Sequence, residues 1–74
     1  MASRDERAQN RANAPGVLSN HRINFTVRNG GAHIVIEDAK TVDYWPGPQL
    51  WIWRGQPDHR RYGLESLLTF LDHS

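Results

Sequence analysis

The chain of 74 residues contains no cysteine. This absence excludes disulfide bridges and thiolate zinc sites, and it makes a reducing compartment acceptable. The sequence also has no apolar run that approaches the roughly 18 to 20 residues needed to cross a bilayer. The polar start, Met1 to Glu6, lacks the hydrophobic stretch of a secretory signal. We therefore expect a protein with neither a membrane span nor a signal peptide.

The sequence also has no large excess of positive or negative charge. Nine basic and eight acidic side chains give a formal net charge of +1 and a pI of about 8.3. This balance is too close to neutral for bulk electrostatics to dictate a nucleic-acid partner. The histidines have no paired metal-binding spacing. Because no catalytic or cofactor motif is present either, we expect no enzymatic activity, no cofactor and no metal. The four histidines are His21, His33, His59 and His73.

The composition changes once, near Pro15. Residues 1–14 have almost nothing to bury, so they cannot offset an ordering entropy of about 1 to 2 kcal/mol per residue. We predict a flexible polar tail over residues 1–14 and a single small domain over residues 15–74. A polar helix from Arg4 to Ala12 is the alternative, favoured by alanine and arginine propensity but without an apolar stripe. Pro15 suits the first position of a short helix.

The middle of the chain predicts an antiparallel meander. Arg22 to Arg28 alternates apolar and polar residues, as a half-buried strand does. Asn29-Gly30 is a strong hairpin signal because both residues tolerate positive φ. The returning strand is Ala32 to Glu37, and Thr41 to Trp45 follows as a third strand. The side chains predicted to face the core are Ile23, Phe25, Val27, Ile34 and Ile36.

The last third of the chain predicts one more short strand and a helix. Proline and glycine after Trp45 break the ladder, and Leu50 to Arg54 can return as a fourth strand at the edge of the sheet. Gly55 to Arg61 is a polar loop, and from Tyr62 the apolar spacing becomes that of a helix. The helical stripe consists of Leu64, Leu67, Leu68 and Leu71, with Phe70 on its flank.

These elements together predict an α+β fold. A short helix is followed by a three- or four-stranded antiparallel sheet and by a C-terminal helix packed on one face of it, with the flexible tail in front. Leu50 and Ile52 point to one face of the fourth strand, whereas Trp51 and Trp53 point to the other. A sheet covered on one face cannot bury all four, so at least one indole requires the tail, the last helix or a partner to cover it.

Two arginine clusters are candidates for partner binding. Arg4, Arg7 and Arg11 recur at helical spacing and could present three guanidinium groups to an acidic surface when the tail folds on contact. The second cluster combines arginines with flat aromatic rings, which single-stranded nucleic acid requires and which protein interfaces also prefer. Its members are Trp51, Trp53, Arg54, His59, Arg60 and Arg61, with Tyr62 beside them.

Several segments resemble a family of very small proteins encoded by tailed bacteriophages. They are Asp43-Tyr44-Trp45-Pro46, Trp51, Arg54-Gly55, Gly63-Leu64 and Leu67-Leu68, with upstream likeness at His21 to Phe25 and at Gly30-Gly31-Ala32-His33. The resemblance spans residues 17–71, and its motifs are structural rather than catalytic. The family usually has serine-threonine-glycine after the proline, whereas this chain has Gly47-Pro48-Gln49.

This resemblance implies a function. Size, missing cysteines and an arginine-bearing start are similar to phage inhibitors that bind host RNA polymerase, block initiation and promote read-through of terminators. It implies a monomeric, non-enzymatic transcription regulator in the host bacterial cytoplasm. The partner would be the large catalytic subunit of bacterial RNA polymerase, near the docking site of the promoter-specificity factor. The two arginine clusters would supply the contacts.

A further alternative comes from the order of elements, which resembles the double-stranded-RNA-binding fold and small messenger-cleaving toxins of that shape. Those toxins have a histidine at the start of the second strand, and Gly31-Ala32-His33 is similar. In that alternative His33 would be a general base for attack by a ribose 2′-hydroxyl. Ala32 replaces the hydroxyl-bearing neighbour, and no second acid is close in sequence.

Overall fold

The computed structural model describes residues 4–72, apart from the side chains of Arg4 and Arg7. It has an α+β architecture, as predicted, with a helix at each end of the described chain and a meander between them. The elements are helix α1 (Arg4–Asn20), strands β1 (Phe25–Arg28), β2 (His33–Glu37), β3 (Thr41–Trp45), β4 (Leu50–Trp53) and β5 (Arg61–Tyr62), and helix α2 (Leu64–Asp72). No helix in this described part of the chain is long and apolar enough to cross a membrane.

The five strands form one antiparallel sheet in the order β1-β2-β3-β4-β5. The predicted turn at Asn29-Gly30 is confirmed, because Asn29, Gly30 and Gly31 all have positive φ, at 52°, 64° and 99°. The turn returns the chain so that Arg28 lies opposite His33. Short connections between successive strands then produce the meander.

The sheet has five strands rather than three or four. Arg61 and Tyr62, which the sequence assigned to a loop and to the start of a helix, pair with Trp51 and Leu50 instead. The Gly63 amide donates to the Gln49 carbonyl at 2.9 Å, which extends this pairing by one residue. Gly63 has a φ of 98°, and this left-handed conformation turns the chain from the strand into α2.

Helix α1 corrects the predicted N-terminal boundary. It runs across residues 14 and 15 without a break, so Pro15 lies inside the helix and does not begin it. Residues 4–14 therefore have the helical conformation of the alternative, while residues 1–3 lie outside the described part and the flexibility of residues 1–14 stays a prediction. Ala14 and Leu18, one turn apart, are both buried in the core, so core packing holds the helix on both sides of the proline.

Both helices cover the same face of the sheet. Leu18 of α1 and Leu67 of α2 belong to one apolar core with Tyr44 and Trp51, the two largest fully buried side chains. The Trp51 indole N–H donates to the Ser66 hydroxyl at 3.1 Å, which satisfies its polar atom inside the core. The packing of the C-terminal helix on one face of the sheet is thus as predicted.

The core assignment of the first two strands is mostly confirmed. Ile34 and Ile36 are fully buried, and Ile23 is 9% exposed. Phe25 is partly buried against the core, whereas Val27 is 44% exposed, contrary to the prediction. Val27 is near the end of an edge strand, where the helices cover less of the sheet. Strand periodicity alone could not reveal this difference.

Candidate functional site: the uncovered face of the sheet

The face of the sheet opposite the helices has no covering element within residues 4–72, and we call it the open face. Val35 points to this face because its neighbours Ile34 and Ile36 point into the core, and it is 3% exposed without belonging to that core. Because successive side chains of a strand point to opposite faces of the sheet, the other residues of the open face can be assigned from the strand pairing. They are Thr26, Arg28, His33, Glu37, Thr41, Asp43, Trp45, Leu50, Ile52, Arg54 and Tyr62.

One row of the open face crosses all five strands. Arg28 lies opposite His33, and Leu50 lies between Trp45 and Tyr62. The His33 and Trp45 rings are stacked, with centroids 4.8 Å apart and planes inclined by 6°. Tyr62 is 60% exposed at the end of the row. The row therefore presents a cation, a stacked aromatic pair, an aliphatic side chain and a third aromatic ring.

Asp43 organises the neighbouring part of the open face. Arg54 donates from Nε to Asp43 Oδ2 at 3.0 Å and from a terminal nitrogen to Oδ1 at 3.1 Å, which is the bidentate geometry of a guanidinium and a carboxylate. His33 Nε2 lies 3.0 Å from the same Oδ1. Since an ionised carboxylate only accepts, His33 must carry its proton on Nε2. These contacts fix the His33 ring against Trp45.

The open face is balanced in formal charge. Arg28 and Arg54 contribute two positive charges, and Glu37 and Asp43 contribute two negative ones, so the sum is zero with His33 neutral. A nucleic-acid backbone binds through an excess of cations that displaces counterions. This face lacks that excess, whereas its tryptophan, tyrosine and arginine are the side chains that most often anchor protein interfaces.

The structure separates the two tryptophans of β4 from this face. Trp51 is 1% exposed in the core, so its side chain is not accessible to a partner. Trp53 is partly buried on the same side and contacts Phe70, with ring centroids 5.5 Å apart. A Cβ atom built on Gly55 would come within 3.0 Å of three atoms of the Trp53 indole, so this glycine permits the close packing. The indole that reaches the open face is Trp45.

The second basic cluster is divided between the two faces. Arg54 lies on the open face, whereas Arg61 points to the helical side, with its guanidinium carbon 5.2 Å from the Trp51 ring and 5.1 Å from the Phe70 ring. His59 and Arg60 are exposed in the loop between β4 and β5. The structure therefore does not bring these four residues together as one patch.

The arginines of the N-terminal segment all lie in α1, whereas the sequence predicted a flexible tail that becomes helical only on contact with a partner. Of the three, only the Arg11 side chain is described, and it is exposed. Together with Ala8, Ala12 and Gly30, it lines an open cavity of about 290 Å³ between the helix and the β1–β2 turn. Nothing is described for the side chains of Arg4 and Arg7.

Sequence reasoning found part of the open face, because Arg54 belonged to the predicted cluster and Tyr62 was placed beside it, but it missed Trp45 as a site residue. Trp45 was part of a motif interpreted as structural, and the helix was expected to begin at Tyr62. The alternation of β3 contained a usable signal: Val42 and Tyr44 are core residues, so Trp45 must point the other way. Tyr62 offered no such signal, because a two-residue strand has no measurable period.

The contacts of His33 also went beyond what its sequence neighbours indicated. Its carboxylate partner comes from the adjacent strand, ten residues away. An aspartate and a histidine in contact can act in acid–base chemistry, but they equally fix a ring in place. Within residues 4–72 there is no group of three or more histidine, aspartate or glutamate side chains that could hold a metal ion.

The comparisons with known proteins add no relationship. No family model, no curated protein and no solved structure matches this chain. What remains to indicate a function is the geometry of the open face together with the resemblance of the sequence to the phage family.

Proposed function

We propose that the protein is a non-enzymatic binding module that uses the open face to occupy a surface of another protein. The observation that carries this proposal is the composition of that face: Trp45, Tyr62 and Arg54 stand around aliphatic side chains, and the formal charge is balanced. Aromatic and arginine anchors surrounded by contacts that exclude water are typical of protein interfaces.

Bacterial RNA polymerase is the partner we propose, on the basis of the resemblance to phage inhibitors. Binding to the large catalytic subunit would block initiation by changing which other factors can dock, and it would favour read-through of terminators. This mode of action requires no chemistry from the protein. The exposed residues His59 and Arg60, in the loop between β4 and β5, would form part of the polar rim of such an interface.

The experiment is a pull-down of polymerase from nuclease-treated bacterial lysate, followed by affinity measurement with purified polymerase. We compare the wild type with Trp45→Ala and Tyr62→Ala, which change the open face, and with Glu65→Gln, an exposed position on α2. We expect the wild type and Glu65→Gln to retain the polymerase equally. Each open-face variant should bind about thirtyfold or more weakly, which corresponds to a hot-spot loss of about 2 kcal/mol or more.

Tyr62→Ala is the more decisive variant, because Tyr62 is largely exposed and its removal leaves the His33–Trp45 stack in place. Undiminished binding by folded Tyr62→Ala and Trp45→Ala proteins would refute the assignment of the open face. Loss of every partner after nuclease treatment would favour the nucleic-acid alternative. RNA cleavage that disappears in His33→Ala would refute the non-enzymatic proposal.

A further inference from the structure

Strand β1 leaves one edge of the sheet without a neighbour among residues 4–72. The Glu37 amide donates to the Asn24 carbonyl at 2.8 Å, which sets the alternation of hydrogen-bonded pairs between β1 and β2. Thr26 and Arg28 therefore point their backbone groups towards β2. The backbone N–H and C=O groups of Phe25 and Val27 point outward, away from β2. In the described structure these backbone groups have no backbone partner.

The side chains at this edge are also accessible. Thr26, Val27 and Arg28 are all exposed, and Val27, at 44%, is one of only two large hydrophobic side chains in residues 4–72 that are exposed to this extent. The opposite edge is β5, which has two residues and offers much less backbone. An exposed strand edge with an apolar side chain is a template for pairing with another strand.

We propose that two copies of the chain pair through β1, antiparallel and with the two-fold axis at Thr26. In this register Phe25 of each copy lies opposite Val27 of the other, so all the outward backbone groups of these two residues are used. The dimer gains four hydrogen bonds, two for each such pair. The two sheets join into one of ten strands. This inference does not depend on the proposed function, and it replaces the monomer expected from the sequence.

Other registers pair the outward-pointing backbone groups of β1 less well. A shift by one residue would place an outward-pointing residue opposite an inward-pointing one, which an antiparallel ladder does not allow. An axis at Val27 would pair Phe25 with Asn29, whose φ of 52° is outside the strand region. An axis at Phe25 would pair Val27 with Ile23, whose amide already donates to the Leu18 carbonyl at 3.1 Å.

The side chains fit the Thr26 register as well. Phe25 and Val27 both point to the helical side, so each cross-strand pair joins an aromatic ring and a β-branched side chain, a favourable combination. Arg28 would lie opposite Asn24 of the second copy, so no like charges meet. The exposed Val27 side chain would then be covered by the Phe25 ring of its partner.

The absence of cysteine allows a direct test, because a single introduced cysteine can form only an intermolecular disulfide. Thr26→Cys places the two sulfur atoms at the axis, where Cα atoms of a non-hydrogen-bonded pair are about 4.5 Å apart, within the range for a disulfide. Arg28→Cys is the matched control. Its two Cα atoms would be about 14 Å apart, four residues of strand, which is too far.

Under mild oxidation we expect Thr26→Cys to give at least several times more covalent dimer than Arg28→Cys at the same protein concentration. Equal or negligible cross-linking of both variants would overturn the proposal. Sedimentation of the cysteine-free protein provides the second measurement. The dimer fraction should rise with concentration, stay similar in Val27→Thr and fall strongly in Val27→Lys, since a charge would enter the paired edge. A wild type that stays monomeric at every concentration tested would also overturn it.

Discussion

Asp43 is the residue on which the geometry of the open face depends most. Its carboxylate accepts from both Arg54 and His33, and its side chain is only 18% exposed. The hydrogen bonds from Arg54, with a smaller contribution from His33, hold the pKa of Asp43 below its ordinary value of 3.8 against the opposing effect of burial. The same contacts orient the imidazole that stacks on Trp45.

This lowered pKa predicts how stability depends on pH. Because the folded pKa of Asp43 is lower than the unfolded one, its contribution is fully present above about pH 3.8 and is lost as the pH falls through the folded value. Asp43→Asn should therefore be less stable than the wild type near pH 7, and the difference should shrink on acidification. Thermal unfolding of both proteins between pH 7 and pH 2 measures this difference in stability.

The matched control for this titration is Asp58→Asn in the exposed loop before β5. Its stability should follow that of the wild type across the same range, because the bidentate contact is missing there. If Asp43→Asn kept a constant difference from the wild type down to pH 2, the ionised carboxylate would not be the source of the stabilisation. The stabilisation that Asp43 gains from Arg54 should also weaken with added salt, since the Arg54 side chain is 56% exposed.

At the scale of the elements, a partly buried hydrogen bond joins β4 to α2, beside the ring contacts of Trp51 and Trp53 with Phe70. The Ser66 hydroxyl accepts from the indole N–H of Trp51 and donates to the backbone at the start of the helix, with the Tyr62 carbonyl 2.7 Å away. Gly63 places the first turn of α2 so that this hydroxyl reaches the core. One serine therefore connects strand, turn and helix.

Ser66→Ala should destabilise the fold by about 1 to 3 kcal/mol, because it leaves the buried indole N–H without an acceptor. Urea unfolding followed by tryptophan fluorescence measures the change. Ser19→Ala, at an exposed position of α1, is the control and should change stability by less than about 0.5 kcal/mol. Equal costs for the two variants would mean that the Trp51–Ser66 bond does not stabilise the domain.

The elements also show what could be predicted from the sequence. Period-2 and period-3.6 patterns predicted strands β1 to β4 and helix α2, because each buries one apolar side. β5 was not predictable in this way, since backbone pairing with Leu50 and Trp51 defines it rather than apolar spacing. Of helix α1, the part after Pro15 was predicted as a short helix and Arg4 to Ala12 only as an alternative, because the described buried side of the helix is supplied by Ala14 and Leu18.

The same reasoning explains the incomplete prediction of the site. Arginine and tryptophan content indicated a recognition surface in residues 51–61, but only strand pairing determines which face each side chain reaches. Trp51 and Arg61 thus belong to the helical side, and Arg54 to the other. Asp43 and His33 are joined across two strands, so neither could be assigned to a cluster from its neighbours in the sequence.

At the scale of the whole molecule, two residues of α1 connect this helix to the rest of the fold. Ala14 is 1% exposed in the core, and the Asn10 side-chain amide donates to the Gly47 carbonyl at 3.2 Å, connecting the helix to the turn between β3 and β4. A chain of this size buries a smaller fraction of its surface on folding than a larger domain does, so its total stability is modest. Losing one set of core contacts is then a large part of that total.

Two truncations test this integration against the prediction of a separable tail. Removing residues 1–9 keeps Asn10 and Ala14 and should lower the melting temperature only slightly. Removing residues 1–14 deletes both contacts and shortens the helix before Leu18, so we expect a loss of about 1 to 3 kcal/mol, which corresponds to several degrees or more for a domain of this size. Calorimetry of both fragments and of the full chain gives the comparison. Equal melting temperatures for all three proteins would mean that residues 1–14 are a separable tail. A large drop in melting temperature already on removal of residues 1–9 would mean that the stabilising contacts lie before Asn10.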